Sequence, residues 1–263
     1  WGVIEPEPGI ANLDWMQGII DLLHSHEIKV VLCTPTATPP KWLVDTMPDM
    51  LATDRNGQIR RFGSRRHYSF AHMGYRREVA RITRLIADRF GTHPAVIGWQ
   101  TDNEYGCHDS TLSYGPVDLT GFRDWLAQRY QSVDALNKAW GNVFWSMQYS
   151  NFDEVELPNL TVTEANPAHW LDFYRFTSQM VAEFNQLQVD ILRELSPGRD
   201  IIHNFMGRIL DFDHYDVGAQ LDVSSWDSYP LGFLDQMRDL FPEDHRLQFA
   251  RSGDPDFQAF HHD

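Results

Sequence analysis

The chain has 263 residues, and its 22 Lys and Arg against 37 Asp and Glu give a formal net charge of −15 at pH 7. This length supports a sizeable core, and a composition of 42% hydrophobic and 22% charged residues excludes a disordered or low-complexity protein. The negative charge would repel nucleic-acid phosphates and anionic membranes, so we expect no nucleic-acid or membrane partner.

Apolar runs of strand type alternate with amphipathic stretches, a pattern typical of β-α-β units around a parallel sheet. In chain order the pattern predicts a helix over residues 13–26, a strand over 29–33, a helix over 75–90, a strand over 95–100, helices over 122–130, 133–140 and 168–195, and strands over 200–204 and 221–226. The apolar residues of the long helix recur every three or four positions and predict one buried stripe, formed by Phe173, Phe176, Met180, Phe184, Leu187 and Ile191.

These elements favour a (β/α)₈ TIM barrel, a fold that needs about 250 residues. Only four or five strands are visible, because segments 41–66 and 110–166 take up much of the length, so we expect an incomplete barrel in a single partial domain over residues 1–263. The competing doubly wound fold usually carries a glycine-rich phosphate loop, and neither GxGxxG nor GxxxxGK[ST] occurs. Trp1 follows no initiator Met or signal peptide, which suggests a fragment of a longer protein.

Two cysteines, Cys33 and Cys107, are too few for a disulfide framework or a four-cysteine zinc site. This usage favours a reducing compartment, and no apolar run approaches the roughly 20 residues that a membrane span needs. We therefore expect a cytoplasmic protein with no metal ion and no cofactor.

Polar residues cluster where predicted strands end, and in a parallel barrel these ends meet at one rim. The clusters are residues 34–40, 102–104, 203–204 and 226–229. An Asn-Glu pair is usually part of a solvated loop, but Glu104 follows an apolar strand and stands close to Trp99 and Tyr105. Burial raises the pKa of a carboxylic acid in such a position, which lets it donate a proton to a glycosidic oxygen.

Five segments carry a more specific signal: TPTATPPKW at 34–42, RRHY at 65–68, QTDNEYG at 100–106, HNFMG at 203–207 and SWDSYP at 225–230. In sequence and order they resemble glycoside hydrolase family 42 β-galactosidases, and the resemblance runs from Trp1 to Asp263. It implies a (β/α)₈ catalytic domain, here without its first strand and last two strands, that cleaves terminal β-D-galactosides with retention of configuration. The substrate would be a β-galactoside, and a homotrimer is common in the family.

The resemblance also assigns roles to individual residues. Glu104 would be the proton donor, and Asn103, Trp145 and Tyr229 would contact galactose, although a packed aromatic side chain is the alternative for Trp145 and Tyr229. Six residues in matching motifs would orient the site: Trp42, Arg66, His67, His203, Asn204 and Asp227.

Some family members hold zinc in a cysteine cluster, and this chain departs from that pattern. Only Cys107 fits the cluster, and Ser69 and Ser113 cannot replace thiolates as zinc ligands. The departure agrees with the expectation of no metal ion.

A retaining glycosidase needs a second carboxylate about 5–5.5 Å from the acid, to act as nucleophile. In the family this is a Glu after the seventh strand, which would lie beyond the end of this chain. After Tyr229 the only Glu is Glu243, within a charged loop, and Asp227 is a possible substitute whose neighbours match a binding motif instead. Two other functions stay open: a retaining hydrolase of the same clan, such as a xylanase or mannanase, and a non-catalytic sugar-binding barrel.

The predicted site constrains the backbone conformation at Asn103 and Glu104. Side chains alternate in a strand, so adjacent Asn103 and Glu104 would point to opposite faces, yet both are needed at one sugar. We therefore predict that the strand of Val96 to Gln100 ends or bulges by Asn103 and turns both side chains into the same cleft.

Overall fold

The computed structural model describes residues 1–207 and 209–229. Within these residues the helices are α1 (Asp14–Ser25), α2 (Lys41–Thr46), α3 (Met73–Phe90), α4 (Pro116–Tyr130), α5 (Val133–Trp140), α6 (Pro167–Leu195) and α7 (His214–Gly218). The strands are β1 (Val30–Cys33), β2 (Val96–Gln100), β3 (Asp200–Met206) and β4 (Val223–Asp227). No helix in this part of the chain is both long and apolar enough to cross a membrane.

The chain forms two compact units, Trp1–Ser225 and Trp226–Asp263. The strands β1 to β3 and all seven helices of the described residues lie in the first unit. The single partial domain over residues 1–263 stays a prediction.

The described strands form one sheet in the order β1-β2-β3-β4, and β2 pairs in parallel with both β1 and β3. Parallel neighbours need long crossover connections, which α3 supplies between β1 and β2 and which α4, α5 and α6 supply between β2 and β3. This alternation of strand and helix forms an incomplete α/β barrel and confirms the predicted class of fold.

The central strand β2 is fixed by a buried hydrogen-bond chain. Trp99 is fully buried, and its indole N–H donates to Ser196 Oγ at 2.8 Å. The Ser196 hydroxyl in turn donates to the Gly91 carbonyl at 2.7 Å. Because Gly91 and Ser196 follow the ends of α3 and α6, the bonds tie both helices to the strand that leads into residues 101–106.

The long helix α6 contributes side chains to two hydrophobic clusters. Its predicted stripe is confirmed: Phe173, Phe176, Phe184 and Ile191 are at most 5% exposed, and Met180 and Leu187 are partly buried against the core. Phe173 and Phe176 pack with residues of α4 and α5, whereas Phe184 packs with residues of α3 and the sheet.

Several elements differ from the sequence-based boundaries, and helices α2 and α7 were not predicted. Two of the differences bear on the site. Helix α4 begins at Pro116, six residues before the predicted start at Phe122, and places proline in its first turn, where a missing N–H costs nothing. Strand β3 continues to Met206, so His203 and Asn204 lie inside the strand and not after its end. The alternating burial of β3 accordingly turns His203 inward, while Asn204 is only half-buried.

Candidate active site

The chain leaves β2 through a sharp turn. Strand β2 ends at Gln100, and Asp102 and Glu104 both adopt φ of +47°, a left-handed conformation that is uncommon for residues with a Cβ. This conformation breaks the side-chain alternation, and Asn103 Nδ2 donates to Glu104 Oε2 at 2.9 Å. The prediction that the strand ends or bulges by Asn103 is confirmed, and the two side chains are in contact. Their opening into one cleft stays a prediction.

The Glu104 carboxylate is buried and faces two cations. Its side chain is 5% exposed, with Arg65 Nη2 at 2.6 Å and Arg66 Nη1 at 3.5 Å from Oε2. A neighbouring guanidinium favours the charged form of a carboxylate and so opposes the effect of burial, from which the proton-donor role was predicted. Arg65 is the residue that sequence reasoning left out of the site, although it stands beside Arg66 in a quoted motif.

Arg66 holds the backbone of the turn. Its Nη1 donates to the carbonyls of Asn103 at 2.5 Å and Glu104 at 2.8 Å, and the residue is 2% exposed. Since these carbonyls belong to the pair that forms the site, Arg66 orients that pair through its peptide groups as well as through the carboxylate.

Strand β3 supports the turn from the other side. The Glu104 N–H donates to Asn204 Oδ1 at 3.2 Å, and Asn204 Nδ2 donates to Asn103 Oδ1 at 3.1 Å. These bonds fix the orientation of the Asn103 amide, because its oxygen accepts from Asn204 while its nitrogen donates to Glu104.

The protonation of His203 follows from its partners. The Tyr105 N–H donates to Nε2 at 3.1 Å, so the ring proton must sit on Nδ1, which lies 2.8 Å from the Thr101 carbonyl. Burial lowers the pKa of His203 to about 4, and the ring stacks on Tyr105 with centroids 4.0 Å apart. A neutral His203 therefore bridges the two backbone groups that flank Asn103 and Glu104.

Asp102 anchors the turn to the loop after β1. The residue is 1% exposed and accepts from Thr36 Oγ1 at 2.6 Å and Tyr68 Oη at 2.9 Å, and its own N–H donates to Thr34 Oγ1 at 2.7 Å. Burial raises the pKa of Asp102, and these hydrogen bonds oppose part of that rise. The first two strand ends are thus joined by a polar network beneath Glu104.

A second buried carboxylate joins the loops outside this turn. Asp118, in the first turn of α4, accepts from Ser69 Oγ at 2.6 Å, from Ser113 Oγ, and from the Gly115 N–H at 3.2 Å. Burial raises the pKa of Asp118 to about 6. Ser69 and Ser113 therefore donate to a carboxylate, and across residues 1–207 and 209–229 no group of three His, Cys, Asp or Glu is suited to hold a metal ion.

The other proposed site residues make different contacts. Trp145 is 73% exposed, adopts φ of +54° and stacks on Phe144 with ring centroids 4.7 Å apart. Trp42 donates its indole N–H to the Glu5 carbonyl at 2.9 Å. His67 is buried beside Arg65 and Arg66 in a small cavity.

Three residues named from the sequence belong to the second unit or lie outside the described residues. Asp227, at the end of β4, and the half-exposed Tyr229 are in the unit Trp226–Asp263. Glu243 lies outside the described residues. The sugar contact of Tyr229 and the alternative role of Asp227 as nucleophile stay predictions.

Comparisons with known proteins agree with the motifs. The family model of glycoside hydrolase family 42, described as beta-galactosidase, matches residues 1–263. Beta-galactosidase BgaA of Thermus sp is 54% identical over the whole chain, which covers 40% of that protein. The crystal structure of a beta-galactosidase from Marinomonas ef1 matches with a TM-score of 0.93 and 61% identity, again over 100% of this chain and 40% of the other.

A beta-galactosidase from Halorubrum lacusprofundi matches with a TM-score of 0.91 and 46% identity, over 100% of this chain and 39% of the other. The chain therefore spans about 40% of the length of the relatives it matches.

Proposed function

This chain belongs to glycoside hydrolase family 42, and from that premise we propose that the protein carrying it removes terminal, non-reducing β-D-galactose from β-D-galactosides with retention of configuration. The names of the relatives support the substrate class. The observation that carries the proposal is the turn after β2, where Asn103 and the buried carboxylate of Glu104 meet at 2.9 Å.

Glu104 is the general acid and base in this proposal. In its protonated form it gives a proton to the departing glycosidic oxygen, and in its ionised form it later accepts a proton from the attacking water. The Arg65 contact favours the ionised form that the second step needs. Asn103, whose amide is fixed by Asn204, contacts the sugar.

The remaining roles rest on the family resemblance. Trp145 and Tyr229 contact the galactose ring, and their exposed aromatic faces suit stacking on the apolar side of a sugar. The nucleophile is a Glu outside this chain, with Asp227 as the alternative within it. The xylanase or mannanase reading and the non-catalytic reading are not favoured by the relatives, which are named beta-galactosidases.

A panel of chromogenic aryl β-glycosides tests the proposal, with residues 1–263 placed in a complete barrel. We expect the galactoside to be hydrolysed first, and Glu104→Gln to lose activity while keeping the fold. Preference for a xyloside or mannoside would overturn the substrate, and binding of galactose without turnover by either protein would overturn the enzymatic role.

A further inference from the structure

A cavity of about 220 Å³ lies beside the active-site turn, between residues 60–67 and residues 107–110. Its lining includes four arginines, a buried histidine and a buried serine: Arg60, Arg61, Arg65, Arg66, His67 and Ser110. Among the described residues no Asp or Glu lines it. In a chain of net charge −15, this is a local concentration of positive charge.

The arginine charges are only partly compensated. Arg60 directs its guanidinium at two carbonyls, those of His108 at 2.9 Å and Asp109 at 3.0 Å, which carry no formal charge. Arg61 is exposed and forms no ion pair within the described part of the chain. Arg65 and Arg66 share one carboxylate, that of Glu104. The cavity therefore presents an excess of cations.

Buried polar atoms in the same lining have no partner. His67 is 3% exposed and Ser110 is 4% exposed. Within the described residues Ser110 Oγ and Arg60 Nε have no hydrogen-bond partner. The His67 ring has none in full hydrogen-bond geometry, although the Ser64 backbone lies close enough to oppose part of the lowering of its pKa by burial. Buried polar groups are nearly always hydrogen-bonded, so unpaired ones on a cavity wall point to a ligand that supplies the partners.

The cavity is also large enough for a small anion. Its volume is several times the roughly 30 Å³ that one water molecule occupies in the liquid, which leaves room for a tetrahedral group with four oxygens. The oxygens of such a group accept hydrogen bonds, and the lining offers guanidinium and hydroxyl donors. Burial lowers the pKa of His67, so its neutral ring adds one N–H donor.

We infer that this cavity binds a tetrahedral oxyanion, a phosphate or a sulfate group, through Arg61, His67 and Ser110. Arg65 lines the cavity and also pairs with Glu104 at 2.6 Å, so a bound anion competes with Glu104 for its guanidinium. The anion comes either free from solution or as a substituent on a sugar that occupies the neighbouring active site. The inference goes beyond the proposed galactosidase function, because the binding of an anion in this cavity is a separate property from hydrolysis and is measured without turnover.

Calorimetric titration with inorganic phosphate, at an ionic strength held constant with chloride, tests the free anion. We expect saturable binding that Arg61→Gln weakens by about fivefold or more, since a charge-assisted contact is lost. Arg77→Gln is the matched control: Arg77 is exposed on α3, forms no ion pair in the described residues, and loses the same charge. Ser110→Ala should weaken phosphate binding without changing the net charge.

A second titration distinguishes the source of the anion. A galactoside that carries a sulfate ester is compared with its neutral parent in the same three variants. If only the sulfated sugar binds in an Arg61-dependent manner, the anion is a sugar substituent; if phosphate alone does so, it is a free ion. Equal effects of Arg61→Gln and Arg77→Gln, or no saturable binding of either probe, would overturn the inference.

Discussion

Arg65 Nη2 lies 2.6 Å from Glu104 Oε2, which joins a guanidinium side chain that is 41% exposed to a carboxylate that is 5% exposed. The buried partner is thus held by a cation that solvent and ligands can reach. In this geometry Arg65 fixes the direction of the carboxylate and favours its charge.

Arg65→Gln should therefore lower kcat/KM for lactose by about tenfold or more, because the Glu104 carboxylate loses its orienting partner. If the effect acts through Glu104, the same substitution should add little in a Glu104→Gln background. A double-mutant cycle on kcat/KM measures this coupling. Fully additive losses would show that Arg65 acts on the substrate independently of Glu104.

Asp118 should make stability depend on pH in a definite direction. Its pKa is about 6 in the folded protein, above the usual value of 3.8, because the carboxyl is buried. A raised carboxyl pKa stabilises the fold below the unfolded pKa, and this contribution is lost as pH rises through 6. Relative to Asp118→Asn, which does not titrate, the wild-type chain should gain stability between pH 7 and pH 4, reaching about 3 kcal/mol at full protonation.

The measurement is urea unfolding of both proteins across this pH range, with the difference in unfolding free energy plotted against pH. Other titrating groups cancel in the difference, since both proteins share them. The two proteins should also differ in unfolding free energy at pH 7, where this titration contributes little. The cause is that the Asn amide brings N–H donors to a site where Ser69, Ser113 and Gly115 already donate. A difference that is flat with pH, or that falls toward pH 4, would contradict the assignment.

Gly106, the glycine at the end of the turn after β2, should not accept a side chain without loss of stability. It adopts φ of +84°, and a Cβ there would lie 2.3 Å from Ile209 Cγ2. Gly106→Ala should lower the free energy of unfolding by roughly 1 kcal/mol, because alanine is strained in the left-handed conformation. The overlap with Ile209 should lower it further. Gly9→Ala is the control, because Gly9 has φ of +77° and nothing within 4 Å of its added Cβ.

Urea unfolding of the two alanine variants separates the backbone cost from the overlap, and kcat/KM reports whether the shift reaches Glu104. Equal stability losses would mean that Ile209 yields without cost.

Local patterns in the sequence predicted most of the fold. The apolar residues of α6 follow the helical period of 3.6, and β2 was predicted from a short continuous apolar run that ends at polar residues. The start of α4 was missed because Gly121 and Pro116 read as loop residues, although proline in a first helical turn is itself a helix signal. The continuation of β3 was missed because His203 and Asn204 look like a strand end.

Part of the candidate site could be predicted from the sequence, and part could not. Asn103 and Glu104 were predicted because they are adjacent in a motif, and the break in β2 followed from the requirement that both reach one sugar. Arg65 and the pairing of Ser69 with Asp118 depend on loops that meet only in the fold, 49 positions apart for the second pair. Spacing along the chain carries no signal for such contacts.

The role of Glu104 has a kinetic signature that separates it from a nucleophile. A proton donor matters most for a poor leaving group, such as the sugar alcohol of lactose, and least for an acidic nitrophenol that departs unaided. Glu104→Ala should lose about a hundredfold or more in kcat on lactose, within the usual range of general acid-base contributions. With a dinitrophenyl β-galactoside, the rate of the first step, in which the galactosyl intermediate forms and dinitrophenol is released, should be nearly unchanged.

Glu104 also serves as base for the incoming water, so the covalent galactosyl intermediate should accumulate in Glu104→Ala and give a burst of dinitrophenol. Azide is a nucleophile that needs no base, and its attack should speed turnover and yield β-galactosyl azide with overall retention. A nucleophile variant behaves differently, because it forms no galactosyl intermediate on either substrate. Asp227→Ala added to the Glu104→Ala enzyme is the comparison within this chain, and loss of the burst in the double variant would support Asp227 as the nucleophile. Equal losses by Glu104→Ala on both substrates, without an azide effect, would remove Glu104 from the acid-base role.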